Sequence, residues 1–160
     1  MTALKVSFNR PYDSGWGTGQ FLSYDLDMLA FLEKQGYDVS YSTNIDTHAS
    51  PFNLLIHKTL LSVGHDEYWS YEMRRNVETA RDTGLSLGFF SGNDCYWQIR
   101  LEASPATGDA NRVIVAYKDR ASQDPMASDP STYYLVTTRW RDAHVTLPAN
   151  PEDALIGVMY

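Results

Sequence analysis

The segment Gly64–Ser70 contains the densest group of side chains in this sequence that could do chemistry. It reads Gly-His-Asp-Glu-Tyr-Trp-Ser and directly follows Thr59–Val63, a compact apolar run that predicts a buried strand. If the segment stays extended, His65 and Glu67 point to one side, because side chains alternate along a strand. A histidine and a carboxylate on one side can bind a metal ion, or serve as a general base and its orienting partner. The alternative is a structural group that caps the next helix, since His-x-Glu often occurs by chance.

Cys95 is the single cysteine of the chain, which excludes an internal disulfide and a thiolate-rich zinc site. It follows a predicted strand, as a nucleophile does at a strand-to-helix elbow, but Gly92 provides only half of the elbow's glycine spacing. A buried, unreactive thiol is the alternative, because free cysteine is among the most buried residue types. The sequence leaves both interpretations open.

Two smaller groups are candidates with simpler explanations. His48 and His57 lie near predicted strand ends, and we expect both to be solvated loop side chains. The run Arg139–Arg141 places Trp140 between two guanidinium groups that could bind an anion. Surface residues of an edge strand are the simpler interpretation of this run.

The elements that must position these residues follow an alternating order. Apolar residues at helical spacing predict a mostly buried helix over Phe21–Gln35 and a second helix over Tyr71–Thr83, capped by Ser70. The predicted strands are Leu4–Phe8, Asp38–Thr43, Thr59–Val63, Leu85–Phe90, Arg112–Tyr117 and Tyr133–Thr138. This order predicts an α/β domain with an open, mostly parallel sheet and helices on both faces.

Polar clusters follow three of the predicted strands, at Arg10–Asp13, His65–Tyr68 and Asn93–Tyr96. In open α/β sheets, ligands bind in the crevice beyond the carboxyl ends of the strands. We therefore expect the three clusters to meet at one rim of the sheet and to form the functional site.

Composition limits the class of protein. The 160 residues suit a single domain, and the 43% hydrophobic content is enough to fill one core. A net charge of -7 argues against a nucleic-acid partner, which requires clustered Lys and Arg.

The sequence has no apolar run of membrane-spanning length and no signal-peptide pattern, so the cytoplasm is the default expectation. Both ends lie close to apolar runs, and we expect a fragment of a larger protein.

Four strings resemble the large-subunit catalytic domain of N,N-dimethylformamidase and its relatives. They are Val6–Tyr12, Gly36–Tyr41, Gly64–Ser70 and Phe90–Asp94, and the third is the most specific. The resemblance extends over nearly the whole chain. It implies a fold like that of class I glutamine amidotransferases, which is flavodoxin-like, and one catalytic-type domain over residues 1–160, truncated at both ends.

The resemblance also implies a chemistry, the hydrolysis of the C–N bond of a small amide such as an N-substituted formamide. The family's characterised amidase holds one ferric iron with two tyrosines and a glutamate. Glu67 matches the glutamate ligand, and Tyr12 is the best match for one tyrosine. His65 and Asn93 match polar residues near the metal, which implies catalytic roles for both.

The remaining tyrosine ligand is expected upstream of the first string, so this chain lacks it unless Tyr41 or Tyr68 substitutes. Without a substitute, the mononuclear ferric site is expected to be incomplete or absent in this chain. The implied partners are the amide substrate and a small subunit or further copies of the chain. Two alternatives remain: a non-catalytic domain of the same fold that serves assembly or ligand binding, and a cysteine hydrolase that uses Cys95.

Overall fold

The fold is described by a computed structural model that covers residues 3–13, 19–142 and 149–159. The strands are β1 (Lys5–Ser7), β2 (Thr59–His65), β3 (Tyr68–Ser70), β4 (Ser86–Gly92), β5 (Trp97–Glu102) and β6 (Val113–Val115). The helices are α1 (Leu26–Lys34), α2 (Asn44–Ala49), α3 (Phe52–Leu55), α4 (Tyr71–Asp82) and α5 (Asp153–Ile156). A π-helical turn, Phe21–Asp25, leads into α1, and 3-10 helices cover Lys118–Gln123, Pro125–Ser128 and Pro130–Leu135. The predicted mixture of helices and strands is confirmed.

The strands form two sheets. β2 and β4 pair in parallel over their whole lengths, with Thr59 opposite Ser86 and His65 opposite Gly92. The second sheet has the order β1-β6-β5-β3, in which β6 is antiparallel to both neighbours and β3 is parallel to β5. The loop 103–112 joins β5 to β6 and contains no helix. Parallel pairing of these two strands would need a crossover of about a dozen residues or more, so they pair antiparallel. The mixed sheet therefore departs from the predicted open, mostly parallel one.

Three predicted elements differ from the structure. Asp38–Thr43 forms no strand, and Tyr133–Thr138 begins inside the last 3-10 helix. That helix starts at Pro130, and the Asp129 carboxylate caps it by accepting a hydrogen bond from a backbone N–H. The helix predicted over Phe21–Gln35 is present but not mostly buried, because its apolar side chains stand off β2 across a cavity.

The core is built on α4. Met73, Val77 and Ala80 form the predicted apolar stripe and are all buried. They belong to one cluster with Trp69, which lies in β3 after the turn that follows β2, and with Cys95, which lies in the turn after β4. The core thus positions the polar turns that follow β2 and β4, because Trp69 and Cys95 pack into it. None of the helices in the described ranges has the length and apolar character needed to cross a membrane.

Ser70 caps α4 as predicted, since its Oγ accepts a hydrogen bond from Met73 N–H at 3.1 Å. Ser70→Ala leaves that N–H without its cap and is expected to lower the free energy of unfolding by about 1 kcal/mol. The measurement is urea unfolding, with Thr79→Ala on the exposed face of α4 as the control. Equal midpoints for the two variants would contradict the capping role.

Candidate functional site

β2 and β4 end side by side, and polar residues follow both strands. The His65 Nδ1 atom lies 4.0 Å from Glu67 Oε2, and His65 Nε2 lies 3.4 Å from Asn93 Nδ2. His65 and Glu67 share a side, as the alternation of an extended chain predicts. Parallel pairing brings Asn93 to them, because both strands end at the same edge of the sheet. Three of the four predicted site residues therefore meet around His65.

Tyr12, the fourth predicted residue, lies on the loop after β1 and is 42% exposed. Its hydroxyl donates a long hydrogen bond to Phe8 O at 3.4 Å, and the Arg10 guanidinium lies 4.4 Å from its ring centre. These contacts do not include Glu67. Within residues 3–13, 19–142 and 149–159, no three His, Cys, Asp or Glu side chains form a group that could hold a metal ion. The assignment of Tyr12 and Glu67 as metal ligands stays a prediction.

The two tyrosines considered as substitutes have other partners. The Tyr41 hydroxyl donates to Glu33 Oε1 at 2.7 Å, and this hydrogen bond to a carboxylate raises the pKa of Tyr41. The Tyr68 hydroxyl accepts a hydrogen bond from Lys118 Nζ at 2.6 Å. Both hydroxyls are therefore engaged away from the His65–Glu67 pair in this structure.

Asp66 connects the turn between β2 and β3 to neighbouring elements through hydrogen bonds. Its carboxylate accepts hydrogen bonds from side chains, its backbone N–H donates one and its backbone C=O accepts two. These bonds link the turn to α2, β2, β4 and the loop after β4. The partners are Asn44 Nδ2 (2.9 Å), Ser62 Oγ (2.9 Å), Ser91 Oγ (2.8 Å), Trp69 Nε1 (2.9 Å) and Cys95 N (3.0 Å). Because Asp66 lies between His65 and Glu67, these bonds limit the movement of both. Sequence reasoning gave Asp66 no such role.

Ser62 stands between two carboxyl groups. Its Oγ lies 2.9 Å from Asp66 Oδ2 and 3.2 Å from Asp94 Oδ1. A hydroxyl has one hydrogen, so it can donate to only one of them at a time. Burial raises the pKa of Asp94, and the negative charge of Asp66 raises it further, against hydrogen bonds from Ser91 and Ser62 that lower it. The sequence feature that could have indicated this pair of carboxyl groups is Ser62, a hydroxyl residue between the apolar Leu61 and Val63 of β2.

Asp94→Asn tests this arrangement through the pH dependence of stability. A raised pKa in the folded state contributes stability that is fully present below the unfolded pKa and is lost as pH rises through the folded pKa. The asparagine cannot ionise, and its amide can donate to Ser62 Oγ in place of a carboxyl proton. We expect the free energy of unfolding, measured in urea between pH 4 and 8, to fall less with rising pH in the variant. Parallel pH profiles for the two proteins would contradict this account.

Cys95 is a buried thiol. The residue has no exposed surface, and burial raises the pKa of its thiol well above the usual range. Arg74 Nη1 is 3.8 Å from the sulfur but does not offset the effect of burial. Because the thiolate is the reactive form, these surroundings favour the structural interpretation over the nucleophile.

Packing accounts for the two smaller groups. His48 lies on α2 and is not a solvated loop side chain, since its Nδ1 is 2.8 Å from Ser70 Oγ. His57 is exposed, as expected. Trp140 is only 3% exposed and does not lie on an edge-strand surface. The two arginines beside it are ion-paired, Arg139 with Asp142 and Arg141 with Glu152.

Fold and site together define a mixed α/β domain with a polar cluster at the carboxyl ends of two parallel strands. Over residues 1–160 the sequence matches the family described as N,N-dimethylformamidase beta subunit-like, C-terminal, and the chain belongs to that family. The resemblance seen in the sequence strings is thereby confirmed. A search of curated proteins finds none that matches the chain. Since the family is described as beta subunit-like, a partner subunit is consistent with it.

Proposed function

We propose that residues 1–160 are a single amidohydrolase domain that cleaves the C–N bond of a small amide, such as an N-substituted formamide, with the help of one ferric ion. The observation that carries this proposal is the position of His65 between Glu67 and Asn93 in a chain of this family. The cluster combines an acid–base group, an anionic oxygen and an amide donor, which are the groups that hydrolysis of an amide requires.

Glu67 and Tyr12 are the proposed iron ligands. Ferric iron is a hard cation suited to anionic oxygens, and tyrosine ligation of iron is also known in catalase. The Glu67 side chain is 18% exposed, and within the described ranges it is ion-paired to no lysine or arginine, so its carboxylate is available. A further phenolate would complete the family's three-ligand set. When bound, the iron supplies a Lewis acid that polarises the amide oxygen and lowers the pKa of a bound water.

His65 performs the proton transfers in this proposal. Its side chain is 45% exposed, so water and substrate can reach the imidazole. It takes a proton from the attacking water as the water oxygen bonds to the amide carbon. It then delivers the proton to the nitrogen as the C–N bond breaks, which releases a carboxylic acid and an amine.

Asn93 has the second polar role, which is to stabilise the oxygen that becomes negative in the transition state. It adopts a left-handed conformation with φ 55°, which asparagine tolerates better than most residues. This turn directs Nδ2 toward His65, where an amide N–H can donate to the oxyanion.

Iron analysis, absorption spectroscopy and an amidase assay test the proposal together. The protein is loaded with ferric iron, and dimethylamine release from N,N-dimethylformamide is measured. We expect about one iron per chain, a visible phenolate-to-iron charge-transfer band and amine release. A colourless, iron-free and inactive protein would overturn the proposal.

The position of Tyr12, whose exposed side chain bonds to Phe8 O and not to Glu67, favours a second candidate, a non-catalytic domain for assembly or ligand binding. Glu67→Ala separates the two candidates. Under the second candidate, the substitution would leave every measured activity of the protein unchanged.

A further inference from the structure

A cavity of about 990 Å³ lies between α1 and the strand β2. Leu29 and Leu32 of α1 line one wall, and Leu60, Val77 and Leu85 line the side formed by the core. The two α1 leucines are only half-buried, although they belong to the apolar stripe of the helix. The volume falls at the upper end of the range for small-molecule pockets, about 300–1,000 Å³.

One end of this cavity reaches His65 of the proposed site, although Glu67 and Asn93 are not among the lining residues. His65 and Asp66 line it there, together with Asp25 and Asn44. His65 is also within 4.0 Å of Glu67, so the cavity opens onto the group that carries the proposed proton transfers. Burial and the nearby charge of Asp66 raise the pKa of Asp25, as expected for a carboxyl group that faces a partly enclosed space.

Gly64 allows the Asp25 side chain to lie directly against the end of β2. It has φ +84°, and a Cβ built on it would lie 2.8 Å from Asp25 Oδ1. A larger residue would therefore combine backbone strain with a clash against Asp25. The glycine thus lets the π-helical turn before α1 place a carboxyl group directly over the end of β2.

We propose that the cavity binds the alkyl group of an N-alkyl amide, with the amide group held at His65. This inference rests on the proposed function and gives its substrate a class. N,N-dimethylformamide is far smaller than the cavity, whereas a linear alkyl chain can lie along the apolar side chains of α1 and the core with its amide group at His65. Hydrolysis adds water across the C–N bond and yields formic acid and an alkylamine, which become formate and alkylammonium when the acid's proton passes to the amine. Asp25 and Asp66 lie where they can attract the alkylammonium formed when the amine takes up its proton.

Calorimetry on the iron-free chain tests the proposal without any need for catalysis. The probes are N-butyl-, N-hexyl- and N-octylformamide, with N,N-dimethylformamide as the short reference. We expect the affinity to rise about fourfold for each added methylene that is buried. An affinity that does not depend on chain length would overturn the proposal.

A pair of leucine substitutions locates the binding. Leu29→Trp fills the cavity and is expected to weaken the binding of N-octylformamide by about tenfold or more. Leu22→Trp is the matched control, since Leu22 is 65% exposed and is not among the lining residues, so this variant should bind like the wild type. Equal binding by the two variants would place the alkyl group elsewhere and overturn the proposal. If Leu29→Trp does not fold, the chain-length series on the wild type still decides.

The two proposals fail in different ways. If the iron-loaded protein hydrolyses neither N,N-dimethylformamide nor N-octylformamide, the proposed function fails, and calorimetry still reports on the cavity. If it hydrolyses N,N-dimethylformamide but the longer amides bind no better, the cavity inference fails alone. A dimer that N-octylformamide cannot enter would show that a second copy covers the cavity, and this too would overturn the inference.

Discussion

Under the proposed function, Glu67→Gln is expected to lower amide hydrolysis by about 1,000-fold or more and to prevent the proposed binding of iron. The substitution keeps the size of the side chain but replaces an anionic oxygen by a neutral amide, which is a poor ligand for a hard cation. A metal acting as a Lewis acid contributes several kcal/mol to transition-state stabilisation, and each 1.36 kcal/mol corresponds to about a factor of ten in rate. Iron content, the charge-transfer band and kcat/KM are the three measurements.

The control for this experiment is Glu72→Gln. Glu72 also faces a histidine, with its Oε2 3.5 Å from His48 Nδ1, but it lies on the first turn of α4 and outside the proposed site. The control should retain iron and activity, because removing a partly exposed carboxylate costs only a little stability. If Glu67→Gln retained both properties as well, Glu67 would not be a ligand.

Arg74→Ala is expected to destabilise the fold by about 3–5 kcal/mol, the cost of removing one partner from a buried charged network. Arg74 is 1% exposed, and its guanidinium lies 4.7 Å from the Trp140 ring centre. It donates to Glu78 Oε1 at 2.9 Å, to the Asn150 backbone and side chain at 2.6 and 2.8 Å, and to Pro151 O at 2.9 Å. The substitution removes the donor that joins these acceptors, and we expect it to weaken the attachment of the segment 149–159 to α4.

The matched control is Arg75→Ala, one residue further along the same helix. Arg75 is exposed, and its guanidinium lies 5.9 Å from the Tyr71 ring centre. We expect a change within about 0.5 kcal/mol, as for most surface substitutions. Urea unfolding measures both variants, and hydrogen exchange in α5 reports whether the segment 149–159 detaches. Similar midpoints would contradict the role assigned to Arg74.

The parts of the fold that were predicted correctly depend on local signals. α4 was recognised because Ser70 caps it and because its apolar stripe recurs within a single helix. α2 was missed, although Thr43 and Asp46 form a capping box three residues apart that is visible in the sequence. β5 was missed because polar residues interrupt its apolar pattern. Gln98 is buried there through a hydrogen bond to Tyr134 O, a partner far away in the sequence.

The sequence by itself determined one feature of the central segment, since alternation places His65 and Glu67 on one side once the segment is extended. Tertiary structure decided which strands pair, that Asn93 reaches His65, and that Asp66 and Arg74 are held by residues from several elements. It also decided that α1 stands away from β2 and leaves a cavity beside the site. The physical reason is that alternation and capping act between neighbours in the chain, whereas pairing and packing depend on which distant segments come into contact.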